Sequence, residues 1–155
     1  MPPQKSRVSL ANLPVGGERE QIVRVRIGQS FFRQVVLTAY EHRCCVSGLT
    51  HDALLVASHI KPWRESEPEN ERTNPHNGLC LSALYDKAFD AGLMTLDETL
   101  RVVFSKSLRE RTTPDIYQRF FEPYHGQVLQ HQSARFSPTQ DFLSYHRNNI
   151  FEQQG

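Results

Sequence analysis

The sequence predicts a single α+β domain in which short strands and short helices alternate. Its 155 residues fit one domain, since domains commonly span roughly 100–200 residues. Hydrophobic residues make up 38% of the chain, which is enough for a core, while nine prolines and eight glycines divide it into short elements. The apolar pattern changes repeatedly between the period of a strand and that of a helix. These observations exclude collagen-like, disordered and coiled-coil proteins.

The first part of the chain predicts a leader, an extended segment and a helix. Residues 1–20 hold three prolines and two glycines with little periodicity, so we expect a flexible leader. Alternating apolar residues predict a short extended segment over 21–27. Apolar positions then recur at helical spacing, which predicts a helix at about 29–42.

The middle of the chain predicts two strands, a long loop and a helix. Residues 53–60 have the pattern of a buried strand. Residues 61–76 are polar and predict a loop of a length that is usually functional or mobile in a compact domain. Residues 78–82 predict a second strand, and residues 83–92 a short helix that ends at a glycine.

The last part predicts a hairpin and two helices. Two apolar segments, 93–96 and 100–105, flank a polar turn and predict the β-hairpin. Residues 114–121 predict a short helix. A serine and a proline at 137–138 are typical of a helix start and predict a closing helix near the end of the chain.

Composition also bears on location. No stretch approaches the roughly 18 consecutive apolar residues of a membrane span, and the first residues lack the apolar region of a secretory signal. The three cysteines, Cys44, Cys45 and Cys80, are an odd number with an adjacent pair, which favours small buried thiols over disulfides. We therefore expect a cytoplasmic protein with no membrane partner.

The charge of the chain is unevenly distributed. Residues 1–40 carry six Lys or Arg against two Glu, whereas residues 41–112 carry nine against eleven acids. A basic arm joined to an acidic middle fits a protein that contacts a polyanion with one part and binds a metal with another. A merely solvated arm has the same composition.

Polar residues at the ends of the predicted elements carry the chemistry. His59 ends the first strand, Asn77 precedes the second, and Asp86 lies in the following helix. Asp90 is one turn further, so both carboxylates can face one point, although Asp90 could instead brace the turn after the helix. Such oxygen ligands suit Mg²⁺ or Mn²⁺, and a neutral imidazole facing the same point could act as a general base.

Three separated blocks in this order resemble the HNH endonucleases, in particular the branch found as the nuclease domain of bacterial restriction enzymes. The blocks are Ala-Ser-His-Ile-Lys-Pro-Trp at 57–63, Asn-Gly-Leu-Cys-Leu-Ser at 77–82 and Tyr-Asp-Lys-Ala-Phe-Asp-Ala-Gly-Leu at 85–93. Residues 26–33, 45–48 and 145–147 also look like that branch. The resemblance covers about residues 24–151.

The resemblance implies a ββα-metal core, also called a His-Me finger, with flanking helices and a β-hairpin. It would be a single nuclease domain over residues 21–155 with its core motif at 53–93. The expected reaction is hydrolysis of phosphodiester bonds in DNA, leaving 5′-phosphate and 3′-hydroxyl ends. The expected cofactor is one divalent ion, Mg²⁺ or Mn²⁺, with other divalent ions left open.

Residue roles follow from the positions that match the motif. His59 would be the general base, and Asn77 would hold the loop and orient the imidazole by hydrogen bonding. Asp86 would bind the metal, with Asp90 as a second candidate ligand. Ser58 departs from the many relatives that place a metal-binding Asp there, and water or Asp90 would fill that position. The paired cysteines of a zinc knuckle are incomplete, so no structural zinc is expected.

Nucleic-acid contacts are expected from four basic residues. Lys61, Arg64, Arg26 and Arg33 are candidates for phosphate contacts, because neutralising the backbone supplies most non-specific affinity for DNA. The expected partners are DNA, a specificity partner and a second copy in a homodimer. Two alternatives stay open: a weak or inactive nucleic-acid-binding module, which Ser58 motivates, and a nuclease acting on RNA or structured DNA.

Overall fold

The structure is a computed structural model that describes residues 17–152. Within these residues it contains five α-helices, three short 3-10 helices and four strands, which confirms the predicted α+β class. The helices are α1 (Gly17–Ala39), α2 (Ala83–Asp90), α3 (Lys106–Arg111), α4 (Pro114–Phe120) and α5 (Gln140–Asn149). The strands are β1 (Leu55–His59), β2 (Gly78–Ser82), β3 (Met94–Leu96) and β4 (Val102–Phe104).

The strands form two antiparallel pairs. In the first pair, β1 runs against β2 from Leu55 opposite Ser82 to His59 opposite Gly78. Helix α2 follows β2 directly, so the chain has the strand, strand, helix order that the sequence predicted. The second pair, β3 with β4, is the predicted hairpin.

Strand β2 is buried along its whole length because helices cover both faces of the β1–β2 pair. Leu79 and Leu81 are fully buried, as is Phe89 of α2. Helix α1 approaches the pair so closely that a Cβ atom at Gly78 would lie 2.5 Å from a methyl group of Val36 and 2.9 Å from the ring of Phe32. Glycine at this position therefore allows α1 to pack against the sheet.

Helix α1 is longer than the sequence predicted. The extended segment expected over 21–27 is wrong, since these residues are helical. Ile22, Val25 and Gly28 are half-buried at a spacing of three residues, which is the period of a helix rather than a strand. The leader was expected over residues 1–20. Residues 1–16 lie outside the described residues, and residues 17–20 form the start of α1.

The remaining predicted helices are present, and one helix was missed. Helix α4 matches the prediction at 114–121, and α5 is the closing helix. The missed helix is α3, a short element whose start is capped by Ser105, which accepts a hydrogen bond from the Leu108 amide at 3.2 Å. Among residues 17–152, none of the helices is both long enough and apolar enough to span a membrane.

Candidate active site

His59 is held by two contacts at the end of β1. Its Nε2 donates to the backbone carbonyl of Arg72 at 2.8 Å, and its ring stacks on Phe32 with centroids 4.0 Å apart and planes 10° from parallel. A carbonyl only accepts, so Nε2 carries the proton and Nδ1 of the neutral ring carries the lone pair. Nδ1 makes no hydrogen bond to any described residue. His59 thus presents a proton-accepting nitrogen.

The surroundings of His59 favour its neutral form. Burial lowers its pKa below the ordinary value, and the nearby charge of Arg72 lowers it further, while the hydrogen bond to the Arg72 carbonyl opposes both effects. A neutral imidazole with a free lone pair is the state that a general base requires.

Asn77 is fully buried and fastens the loop between β1 and β2. Its Oδ1 accepts from the Lys61 amide at 2.8 Å, and its Nδ2 donates to Ser66 Oγ and to the Glu71 carbonyl, both at 3.2 Å. These bonds join the two ends of the loop and use both polar atoms of the side chain. Among the described residues Asn77 makes no hydrogen bond to His59; it holds the loop, and the Arg72 carbonyl bonds the imidazole.

Asp86 and Asp90 lie one turn apart on α2, and their carboxylates repel each other. Although Asp90 is exposed at the helix surface, partial burial of its carboxylate and the charge of Asp86 raise its pKa to about 6. Burial also raises the pKa of Asp86, while the Ser58 hydroxyl beside it lowers it. Two like charges in partly desolvated positions are stabilised by a cation placed between them.

Ser58 faces Asp86 from β1. Its hydroxyl is buried and lies beside the Asp86 carboxylate, whose pKa it lowers. This hydroxyl adds a further oxygen to the surroundings of Asp86. Consecutive side chains of a strand point to opposite faces, so Ser58 lies toward α2 while His59 lies toward α1.

This donor set fits a hard divalent cation better than a closed zinc site. Among residues 17–152 there is no group of three or more His, Cys, Asp or Glu side chains placed to hold a metal. Mg²⁺ typically binds to one or two protein carboxylates and completes its octahedron with water and phosphate oxygens. The cysteines Cys44, Cys45 and Cys80 are buried in the hydrophobic core as free thiols.

The structure separates the four candidate phosphate-binding residues into two groups. Arg33 donates to the carbonyls of Leu55 at 2.7 Å and Asp52 at 2.9 Å, which ties α1 to the start of β1. Lys61 forms an ion pair with Glu71 at 2.8 Å. These two basic side chains are therefore bonded within the protein and stabilise the fold around the site.

Arg26 and Arg64 form the second group, since both are exposed. Arg26, together with Trp63 and Arg72, lines a cavity of about 610 Å³ between α1 and the loop after β1. The positive charge of Arg26 therefore lies at this cavity, which Arg72 also lines, and the Arg72 carbonyl holds His59.

Sequence reasoning missed Arg72 and Phe32, which hold the imidazole. Arg72 is one basic residue in a polar loop, and its role depends on a contact 13 residues away along the chain. Phe32 was recognised only as an apolar position of a helix. The unusual length of the loop was the one local signal that pointed to this region.

Comparison with known proteins agrees with this geometry. Residues 44–97 match the sequence profile of the HNH endonucleases, and they contain His59, Asn77, Asp86 and Asp90. This segment is similar to an HNH endonuclease domain, a domain of nuclease hydrolases. No protein with curated annotation matches the chain.

A solved structure has the same fold as this HNH domain and its flanking elements. It is described as a modification dependent TagI restriction endonuclease, and it aligns with a TM-score of 0.53 and 21% sequence identity. The alignment covers 76% of this chain and 36% of that one. This chain therefore spans about a third of the length of that enzyme.

Proposed function

We propose that this HNH domain is a metal-dependent DNA endonuclease in which His59 is the general base. The observation that carries the proposal is the anchoring of His59, whose Nε2 is bound to the Arg72 carbonyl while Nδ1 is left with a lone pair. The carboxylates of Asp86 and Asp90 lie on the helix that follows the same strand pair. A base and a cation-binding pair are the two parts that phosphodiester hydrolysis needs.

The reaction follows from these contacts. Nδ1 of His59 takes a proton from the water that attacks the phosphorus atom. The charge that then forms on the imidazole is stabilised by the Arg72 carbonyl, which accepts from Nε2. Attack by water breaks the bond between phosphorus and the 3′ oxygen, and the departing oxygen takes a proton from solvent water, which leaves 5′-phosphate and 3′-hydroxyl ends. The phenyl ring of Phe32 keeps the imidazole plane fixed during the transfer.

Asp86 and Asp90 would hold the divalent ion, Mg²⁺ or Mn²⁺. When bound, that ion stabilises the negative charge on the phosphate and on the leaving oxygen. Arg26 and Arg64 would contact phosphates on either side, because both are exposed near the loop that holds His59. Cleavage of both strands needs two sites or two visits, so a homodimer or a specificity partner belongs to this proposal.

A plasmid-cleavage assay tests the proposal. Wild-type protein should nick or linearise DNA with Mg²⁺ or Mn²⁺ and not with EDTA, whereas His59→Ala should lose about 10²–10⁴-fold in rate, the usual contribution of a general base. His131→Ala is the matched control, since the His131 side chain lies outside this site and should not matter. Nicked ends that a ligase can seal would support 5′-phosphate and 3′-hydroxyl products. Equal cleavage by wild type and His59→Ala would contradict the assignment of the base.

A DNA-binding module without turnover is the second candidate function. Ser58, whose hydroxyl lies beside Asp86, favours it, because a hydroxyl is a weaker cation ligand than the carboxylate found there in many relatives. Salt-sensitive DNA binding with no metal-dependent cleavage would support that candidate. Parallel digestion of duplex DNA, structured DNA and RNA would separate the substrates if cleavage is seen.

A further inference from the structure

Arg72 contacts the site with its backbone and the loop with its side chain. Its carbonyl accepts the Nε2 hydrogen of His59 at 2.8 Å. Its Nε donates to the carbonyls of Trp63 and Ser66, both at 3.0 Å, and its guanidinium lies 3.7 Å above the centre of the Trp63 ring. One residue thus links the imidazole to the other side of the loop.

We propose that Arg72 is a positioning residue whose clamped side chain holds its own carbonyl against His59 Nε2 and so keeps Nδ1 free to act as the base. This inference rests on the proposed function, because it explains how that site is kept in its working state. The proton of His59 is expected on Nε2, and this can be measured whether or not the protein cleaves DNA.

Stacking on Phe32 does not by itself select the orientation of the imidazole. Two parallel rings at 4.0 Å fix the plane of the imidazole, but a half turn of the ring within that stack exchanges nitrogens for carbons. The Arg72 carbonyl breaks this equivalence because it accepts only from an N–H. The orientation of one peptide group therefore determines which nitrogen is available to water.

The loop backbone alone holds that peptide group weakly. Residues 67–70 are exposed, and this stretch contains neither helix nor strand. Asn77 fastens the carbonyl of Glu71, which is the neighbouring peptide group. The Arg72 amide donates to the Glu67 carbonyl at 3.1 Å, within the same exposed segment. The Arg72 side chain is what ties this turn to the carbonyls of Trp63 and Ser66 near the start of the loop.

The test compares Arg72→Ala, Arg72→Lys and Trp63→Leu with wild type. Arg72→Ala removes the clamp, Trp63→Leu removes the ring beneath the guanidinium without changing charge, and Arg72→Lys keeps the charge and one donor. Arg119→Ala is the matched control, because Arg119 is an exposed arginine on α4 and its loss changes the net charge equally. Thermal melts check that each variant is folded.

The first measurement is the tautomer of His59 from the chemical shifts of its ring nitrogens, assigned by difference from His59→Ala. Wild type and Arg119→Ala should show His59 with the proton on Nε2 alone. Arg72→Ala and Trp63→Leu should show a mixture of the two tautomers, and Arg72→Lys should restore the wild-type signal in part. An unchanged tautomer in folded Arg72→Ala or Trp63→Leu would overturn the inference.

The second measurement is the split between kcat and KM for plasmid DNA. Misalignment of a base costs about 10- to 100-fold in rate, so kcat of Arg72→Ala should fall by that factor while KM changes less than about twofold. A rise in KM at constant kcat would instead make Arg72 a DNA-contacting residue and would refute the positioning role. If wild type does not cleave at all, the proposed function fails, while the tautomer measurement still decides the role of Arg72.

Discussion

His59 and His146 have the same two contacts and differ in the second ring nitrogen. Each stacks on a phenylalanine, and the Nε2 of each faces a backbone carbonyl. The Nδ1 of His146 accepts from the Thr95 hydroxyl at 2.9 Å, whereas that of His59 has no such donor. With both nitrogens satisfied and the residue fully buried, His146 is a structural group. The free Nδ1 makes His59 a candidate base.

The environment of His59 determines the pH dependence of cleavage. Since burial lowers its pKa below the ordinary value of 6.5, the neutral form dominates at pH 7. We expect the rate to be flat around pH 7 and to fall as the pH drops below that pKa, because the base becomes protonated. A pH profile of kcat/KM measures this, and an acidic limb with its midpoint above 6.5 would contradict the depressed pKa.

His146 should make the fold sensitive to acid. Burial lowers its pKa to about 4, so between about 4 and the ordinary value of 6.5 the unfolded chain binds this proton and the folded chain does not. Stability therefore falls as the pH drops through that range, by up to about 3 kcal/mol for this group. Urea unfolding at pH 7 and pH 5 measures the loss.

A His146→Gln variant is the comparison for that measurement. It should be less stable than wild type at pH 7, because it loses the stack on Phe89 and cannot reproduce both hydrogen bonds. Its stability should change less between pH 7 and pH 5 than that of wild type. If the free energy of unfolding falls equally in the two proteins between pH 7 and pH 5, the acid sensitivity belongs to other groups.

Repulsion between Asp86 and Asp90 predicts how the fold responds to cations. Removing one charge relieves the repulsion, so Asp90→Asn should melt at or above the wild-type temperature in EDTA at pH 7, where the wild-type carboxylate is ionised. Adding Mn²⁺ should raise the melting temperature of wild type and of Asp141→Asn, an exposed control on α5. Asp86→Asn should lose this response, and an equal Mn²⁺ shift in that variant would place the cation elsewhere.

At the scale of elements, α1 positions the His59 imidazole. Its Phe32 supplies the ring beneath His59, and the adjacent Arg33 ties the helix to β1. The sequence predicted a helix here only from about residue 29. The earlier residues were missed because their alternating apolar pattern is typical of a strand. In the structure these residues face the loop after β1.

Gly78 sets the distance between α1 and the strand pair. Gly78→Ala would place a methyl group 2.5 Å from Val36, which forces α1 away from the sheet. We expect a loss of about 1–3 kcal/mol, the usual cost of overpacking a core. Cleavage should fall as well, because Phe32 moves with the helix. Gly17→Ala is the control, since a Cβ there meets nothing within 4 Å, and equal urea midpoints for the two variants would contradict this packing.

At the scale of the whole molecule, the site depends on residues outside the segment that the family profile matches. The matched segment is 44–97, whereas Phe32 lies before it and His146 lies after it. Both residues contact the segment through ring stacking, on His59 and on Phe89. The matched segment therefore contains the candidate site residues, and Phe32 of α1 and His146 of α5 pack against it.

This dependence predicts the behaviour of fragments. A fragment of residues 44–97 should be unfolded in solution, because so short a chain buries little surface and its faces toward α1 and α5 would be exposed. A fragment of residues 17–152, which includes α1 and α5, should melt cooperatively. A cooperative melt of the shorter fragment would show that the flanking helices are dispensable for folding.

The sequence by itself determined the order of strand, strand and helix and indicated the candidate site residues. His59, Asn77, Asp86 and Asp90 stand at or near element ends that local periodicity and motif blocks make recognisable. The hairpin and the closing helix were recognised from the same local patterns. These features are encoded within a few residues of one another, which is why single-chain patterns reveal them.

Only the tertiary structure decided how the imidazole is held and which basic side chains remain exposed. The carbonyl that orients His59 is 13 residues away, and Arg33 is tied to a carbonyl 22 residues away. Such partners depend on how the loop and α1 fold back onto the strands, and a backbone carbonyl looks the same at every position of a sequence. The identities of the candidate site residues are therefore local properties, whereas their orientation arises from packing.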